Sequence, residues 1–294
     1  MVIIPALPLL HTKPFRPKTP FQGRSTKYNL KLSLNVYSFH RPLTNRDIEL
    51  TDVLDFCANH NFAAIDPTGY YFPGYPAVPD DTFIYDFKRK AFLLGLDISG
   101  TGVRNDFANP DPSSRESDIE LISRWIEVAA KLGAPVLRIF PGHHEHEGYD
   151  RAEVFEWMAR DMRKCCARAK KSGVMLAVQN HNGFLKTASD VDHLLKLVES
   201  DWLGQNLDIG SYRQNPPYDE IKKNIHHAIT WQIKENVWID GVETPTDFDR
   251  LFQIIKSSGY RGYLPLETLG PGDPFEKVPV LLEKVRKALT GSPD

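Results

Sequence analysis

Gln179, Asp208, Gln232 and Glu267 each close a short apolar run in the second half of the chain. Each offers an oxygen donor. If neighbouring strands carry them to one rim, the four share a centre. Oxygen-only ligation suits hard divalent ions such as Mg2+ or Mn2+. Two carboxylates and two amides would leave such an ion near neutral. The same set suits equally a hydrogen-bonded polar plug that holds no metal.

The other apolar runs also end in polar residues: Asn35 and Tyr37, Asp66, Arg104 with Asn105 and Asp106, Arg138, Asn180 and His181, and Lys234. One polar residue after a strand means little, but nearly all runs ending so point to a binding rim. Asn35, Tyr37, Asp66, Arg104, Arg138 and Asn180 are the candidate substrate-binding residues. Arg104 and Arg138 suit a phosphate, a carboxylate or sugar hydroxyls, or alternatively ion pairs with Asp66 or Asp106. Tyr70, Tyr71, Phe72 and Tyr75 fall in a Gly/Pro-rich loop, where they suit either stacking on a sugar ring or packing of the loop. The run from Pro141 to Glu147 holds three histidines and reads as a solvated surface loop, with a lid or a metal site as the rival. Trp125, Trp157 and Trp202 read as packing residues.

The elements that must position these residues repeat one rhythm from Leu30 onward: an apolar run, a polar loop, then a segment of helical periodicity. Strands are expected at 31–37, 62–66, 97–103, 135–140, 174–179, 203–208, 229–234 and 262–267. Helices are expected at 44–60, 83–94, 116–132, 154–171, 188–198, 218–226, 248–257 and 275–289. Gly133, Gly173 and Gly259 stand where left-handed helix ends require them. Thr187 and Thr246 stand as N-caps ahead of acidic first turns. Eight strands each followed by a helix predict a single-domain α/β fold, a (β/α)8 TIM barrel. The rival is an open doubly wound sheet, which usually carries a glycine-rich phosphate loop after its first strand. Here the first strand runs into Ser38-Phe39-His40-Arg41-Pro42 instead.

The barrel is expected over residues 30–294, and residues 1–29 as an irregular, Pro-rich N-terminal extension. The alternative for that extension is a degenerate signal segment, which would place the protein in the periplasm rather than the cytoplasm. With 41% hydrophobic and 25% charged residues, the 294-residue chain has the composition of an ordinary globular protein. A net charge of -2 favours neither a nucleic-acid nor an anionic-membrane partner. Cys57, Cys165 and Cys166 show no CxxC pattern and read as thiols of a reducing compartment rather than as a disulfide. The sequence leaves a homo-oligomer open.

The segments AVQNHN, LDIGSY, TWQIKEN and YLPLETLG, at the ends of the last four expected strands, resemble the sugar isomerase/epimerase superfamily of xylose-isomerase-like barrels. That superfamily is similar in fold to the family 2 AP endonucleases. VRNDFANPD, AAKLGAP, QNHNGFLKT, WQIKE and SGYRGYLPLETLG resemble a subgroup described as sugar phosphate isomerases or epimerases. The resemblance spans about Leu30 to Leu289. It implies one metal held by Glu, Asp, His and Glu, with the two glutamates moving a proton between opposite faces of a sugar carbon. Asp208 and Glu267 match. Gln179 stands for the first Glu, Gln232 for the His, and Asp66 for a substrate-binding Glu. An amide binds metal weakly and cannot serve as a general base near neutral pH.

The expected function is therefore that of a sugar isomerase/epimerase acting by proton transfer next to a carbonyl. Glu267 is the base, and Lys234 or His181 polarises the carbonyl or enediolate oxygen. The rivals are a one-base sugar lyase, a non-catalytic carbohydrate-binding barrel, and a metal-dependent hydrolase or nuclease. The last would need a His/carboxylate cluster and a basic groove that the strand ends do not show.

Overall fold

The structure, a computed structural model, describes residues 29–291. Residues 1–28 of the expected extension and residues 292–294 lie outside the described residues. The pairing segments are β1 (Leu30–Asn35), β2 (Ala64–Asp66), β3 (Asp97–Ile98), β4 (Thr101–Gly102), β5 (Val136–Ile139), β6 (Met175–Gln179) and β7 (Leu203–Asp208). β8 (Ala228–Lys234), β9 (Asn236–Ile239), β10 (Val242–Pro245) and β11 (Gly262–Glu267) follow. The main sheet runs β3-β2-β1-β11-β8-β7-β6-β5-β4, with every pairing parallel.

The two ends of that order, β3 and β4, are consecutive in the chain and separated only by residues 99–100. They are two halves of the third strand, so the sheet closes on itself as the expected TIM barrel, with a break in one stave. The expected strand 97–103 thus needs correction. Its first half pairs with β2 and its second with β5, with one isolated parallel bridge from Gly102 back to Thr68 beyond the end of β2. At the break, Ser99 turns inward to bond Ser33 (Oγ to Oγ, 2.6 Å), and its hydroxyl donates to the Ile65 carbonyl. A Cβ on Gly100 would sit 3.4 Å from an Asp66 carboxylate oxygen, so the chain passes close to the barrel's polar interior there.

Around the sheet lie α1 (His40–Asn45), α2 (Leu50–Asn59), α3 (Asp81–Leu93), α4 (Pro112–Leu132) and α5 (Arg151–Ser172). They are followed by α6 (Ala188–Val198), α7 (Pro217–Asn224), α8 (Phe248–Ser258) and α9 (Pro274–Thr290). The expected helix 44–60 is two helices. Arg46 takes a left-handed φ of 63°, ending α1, and a Glu49/Asp52 capping box starts α2. α4 and α5 begin earlier than their periodicity suggests because Asp111 and Asp150 cap them one turn upstream. Thr187 caps α6 as expected. Thr246 does not cap α8: Asp247 does, while the Thr246 hydroxyl donates to the Lys234 carbonyl. The glycine ends hold, with φ of 80°, 68° and 76° at Gly133, Gly173 and Gly259.

An antiparallel hairpin, β9–β10, interrupts the seventh βα unit and was not expected. Its turn, Asp240-Gly241, takes φ of 51° and 78°, the pair of positive values a tight hairpin requires. α4 and α5 are joined by a buried ion pair, Arg115 Nε to Asp161 Oδ2 at 2.9 Å. No helix of the described residues is long and apolar enough to cross a membrane. All three cysteines are buried and free.

Candidate active site

A parallel barrel turns alternate residues of every strand inward, and its strand ends meet at one rim. Gln232 and Lys234 are two residues apart on β8 and so share its inward face. Register sets Gln232 beside Asp208 of β7 and Lys234 beside Glu267 of β11. That pairing brings one cation between two carboxylates. Lys234 Nζ lies 2.7 Å from Asp208 Oδ2 and 3.2 Å from Glu267 Oε2.

Asp208 is wholly buried and engaged on both oxygens. Its Oδ1 accepts the Gly210 N–H at 3.0 Å. Its Oδ2 accepts from Gln179 Nε2 at 2.8 Å, Ser211 Oγ at 2.8 Å and Lys234 Nζ. Gln179 turns its amide N–H2 toward two acceptors, Asp208 and Gln232 Oε1, the latter at 2.5 Å. The four expected metal ligands therefore converge, but they do not fit a divalent ion in this arrangement. One amide presents its nitrogen, Asp208 Oδ2 already accepts three donors, and an ammonium sits between the carboxylates.

Electrostatics follow from this packing. Burial pulls Asp208 upward, but the Lys234 charge and hydrogen bond and the Ser211 hydroxyl outweigh it and hold the carboxyl below its ordinary value. Glu267 goes the other way: burial and the Asp208 charge raise it against the pull of Lys234. Burial opposes the charge on Lys234, yet its two carboxylate neighbours win and raise its pKa. Burial lowers His181 to about 4 against the attraction of Asp208, so its imidazole is neutral at pH 7.

Above this centre opens a cavity of about 540 Å3, whose lining includes Asn35, Tyr37, Tyr70, Arg104, Arg138, His181, Gln179, Gln232, Lys234 and Glu267. Glu267 is the only carboxylate among its described lining residues. Not every expected substrate-binding residue reaches it. Asn180 is a correction: it is buried, its amide N–H2 donates to the Asp208 carbonyl, and its oxygen accepts from Asp208 N and Gln205 Nε2. It braces β7 and does not face the cavity. Asp66 also lies beneath the lining, held by Asn35 Nδ2 at 3.2 Å. Burial raises its carboxyl to about 6 although the Arg138 charge opposes this. Asn35 lines the cavity and also caps the following turn, its oxygen accepting the Tyr37 N–H.

Neither Arg104 nor Arg138 forms an ion pair with Asp66 or Asp106. Arg138 stacks over Phe140 at 4.2 Å and donates to the Val103 carbonyl. Arg104 lies over the Tyr70 ring at 5.2 Å. Among the four loop aromatics, only Tyr70 lines the central cavity. Phe72 packs edge-on against Trp125, and Tyr75 accepts the Arg104 N–H through its hydroxyl. Tyr70 and Arg104 are shared with a second cavity of about 680 Å3 over α1 and the loop after β2. Half-buried His143 and exposed His144 line the central cavity, so the start of the 141–147 run reaches the site while Glu145 and Glu147 are exposed, as a surface loop would have them. What marked them in the sequence was their position directly after β5.

At the opposite end of the barrel, Asp192, His226 and His227 bring ligand-type atoms within 4.8 Å of one another. There Lys196 already pairs with Asp192 at 2.6 Å.

The fold and part of the sequence have known relatives. A 113-residue stretch is 26% identical to the 3'-dehydrocarminate deglycosidase alpha subunit of a Microbacterium species, covering 37% of this chain and 32% of that protein. The chain thus aligns with about a third of the length of that curated relative. The crystal structure of D-psicose 3-epimerase from Clostridium cellulolyticum H10 superposes with a TM-score of 0.74 and 14% identity, over 88% of this chain and 99% of that one. The 3-keto-D-glucoside 4-epimerase of E. coli superposes with a TM-score of 0.71 and 13% identity, over 89% of this chain and all (100%) of the other. The family described as the xylose isomerase-like TIM barrel matches residues 54–287, most of the barrel including all four strand ends discussed above, and the chain belongs to that family.

Proposed function

We propose that this barrel is an isomerase/epimerase-type enzyme that takes a proton from the carbon next to a ketone of a sugar derivative. The observation that carries the reading is Glu267. It is a buried carboxylate with raised pKa, facing a sugar-sized cavity beside the Lys234 ammonium. Glu267 accepts the proton, and the carbon–hydrogen electron pair moves onto the carbonyl oxygen as an enolate. Lys234 has three N–H groups. Two are directed at Asp208 and Glu267, and the third is free to donate to that oxygen. Held neutral, His181 on the cavity wall is suited to donate its ring N–H as a hydrogen bond to the same oxygen, and the proton that returns to carbon comes from protonated Glu267 on its own face or from solvent on the opposite face. A 3-keto sugar in the name of one relative and a 3'-dehydro compound in that of another support a ketone-bearing substrate.

A second reading is a one-base lyase, favoured by Glu267 being the only carboxylate among the described lining residues. The same enolate then re-forms its carbonyl by expelling the group on the β-carbon, and no proton acceptor is needed on the opposite face.

The test is incubation of free and glycosidic keto-sugars with the protein in D2O, followed by NMR. Solvent deuterium should enter beside the ketone, from one face unless solvent serves the other. Glu267→Gln should slow this on the order of 10²-fold or more, the scale of losing a general base, with affinity much less changed. An epimer as product supports the first reading, and loss of the β-substituent supports the second. Undiminished exchange in Glu267→Gln removes this residue from the chemistry.

A further inference from the structure

Two carboxylates buried at one centre require positive charge, because an uncompensated buried anion is strongly destabilising. In a barrel that resembles metal-dependent sugar epimerases, that charge is expected from a dication. Here the donor set points elsewhere. The two positions that the resemblance gives to metal-binding Glu and His carry Gln179 and Gln232. Gln179 turns its N–H2, a group that cannot ligate, toward Asp208 and Gln232, and its Oε1 is left buried without a hydrogen-bond partner. Asp208 Oδ2 already accepts three donors.

A second, independent feature prepares the place for a lysine. Gly210 follows β7, and a Cβ built there would lie 2.8 Å from Lys234 Cδ. Its φ is not in the left-handed region, so glycine is needed here for space and not for backbone conformation. The stem of Lys234 runs through the volume that a side chain at 210 would fill.

We propose that Lys234 is a cation built into the chain: its ammonium holds the position between Asp208 and Glu267 that the resemblance assigns to a divalent metal, and no metal binds there. Joined to the catalytic reading above, on which this extension alone rests, it makes the proton transfer independent of added metal. A tethered ammonium supplies one charge where a dication supplies two. The change at 179 runs in the same direction, since exchanging a glutamate for an amide removes one negative charge from the site, while that at 232 exchanges a neutral imidazole for a neutral amide and leaves the charge as it was.

The measurement is made on the full chain without substrate, so it stands apart from the catalytic reading. Metal content after purification is read by mass spectrometry, and Mn2+ binding by electron paramagnetic resonance. The wild type should carry substoichiometric metal and leave Mn2+ free at millimolar concentration. The combined variant Lys234→Met, Gln179→Glu, Gln232→His should acquire Mn2+ binding that Asp208→Asn removes. Stoichiometric metal in the wild type, or Mn2+ binding there that Asp208→Asn abolishes, overturns the proposal. So does a combined variant that is folded by circular dichroism and still binds nothing. If the combined variant does not fold, the wild-type measurement decides alone. Metal-free protein that fails to exchange any substrate proton would sink the catalytic reading and leave this one standing.

Discussion

The two acids of the centre that depart upward from ordinary values, Glu267 and Asp66, have separable consequences. In the proposed proton transfer Glu267 acts only when deprotonated, and its pKa is raised above the usual 4.5. The acid limb of kcat/KM should therefore fall above pH 4.5. Lys234 is raised above 10.5, so its charge sets no alkaline limb below that pH. Asp66 is held near 6 in the fold against 3.8 for a free group. A raised acid binds its proton more tightly when folded, so its contribution to stability is complete below pH 3.8 and is lost as pH rises through about 6. Asp66→Asn removes that titration. Denaturation midpoints measured from pH 4 to 8 should show a flatter profile, with a relative gain above pH 6 of up to roughly 3 kcal/mol, at about 1.4 kcal/mol per pKa unit. A variant whose pH profile parallels the wild type would show that Asp66 ionises normally. At this scale the sequence was legible in the identity of the rim residues, because strand ends in a barrel are forced to one side. It was not legible in which way each amide points. Asn180 and Gln179 have the residue types of ligands, but hydrogen-bond direction is decided by neighbours on other strands.

The elements were readable where a period or a cap was strong, and not where two signals competed. The 44–60 segment carries helical apolar spacing throughout, and its break depends on one left-handed residue, Arg46. The third strand has a strand composition yet splits, because residues 99–100 are drawn toward Ser33, Ile65 and Asp66. The hairpin after β8 had a signal, Asp240-Gly241, hidden in a stretch read as an ordinary loop. The bridge between α4 and α5 could not be read at all, since Arg115 and Asp161 sit at unremarkable helical positions. It is nonetheless the ion pair outside the site, among the described residues, in which both side chains are buried. Both side chains are about 5% exposed, and Arg115 also donates to the Asn109 and Pro110 carbonyls and lies over Trp157. Arg115→Ala leaves Asp161 buried, with only Arg160 and Lys164 near one oxygen. It should cost on the order of 3–5 kcal/mol, the scale for breaking a buried pair, read as a lowered urea midpoint with an unchanged slope. A loss below 1 kcal/mol would mean that water reaches Asp161 readily.

Over the whole molecule, the closed barrel gathers its chemistry at one mouth, where two cavities meet at Tyr70 and Arg104. The ion pairs at Lys234 join β7, β8 and β11, so that centre also ties the later staves together. For redesign of the molecule, 210 and 234 are a single variable. A side chain added at 210 would stand 2.8 Å from Lys234 Cδ, so either the lysine stem moves or the new side chain does not fit. A double-mutant cycle measures that coupling. Gly210→Ala should destabilise the wild type but cost far less beside Lys234→Ala, the non-additivity expected of residues in contact. Equal costs in both backgrounds would mean that the lysine stem does not constrain position 210.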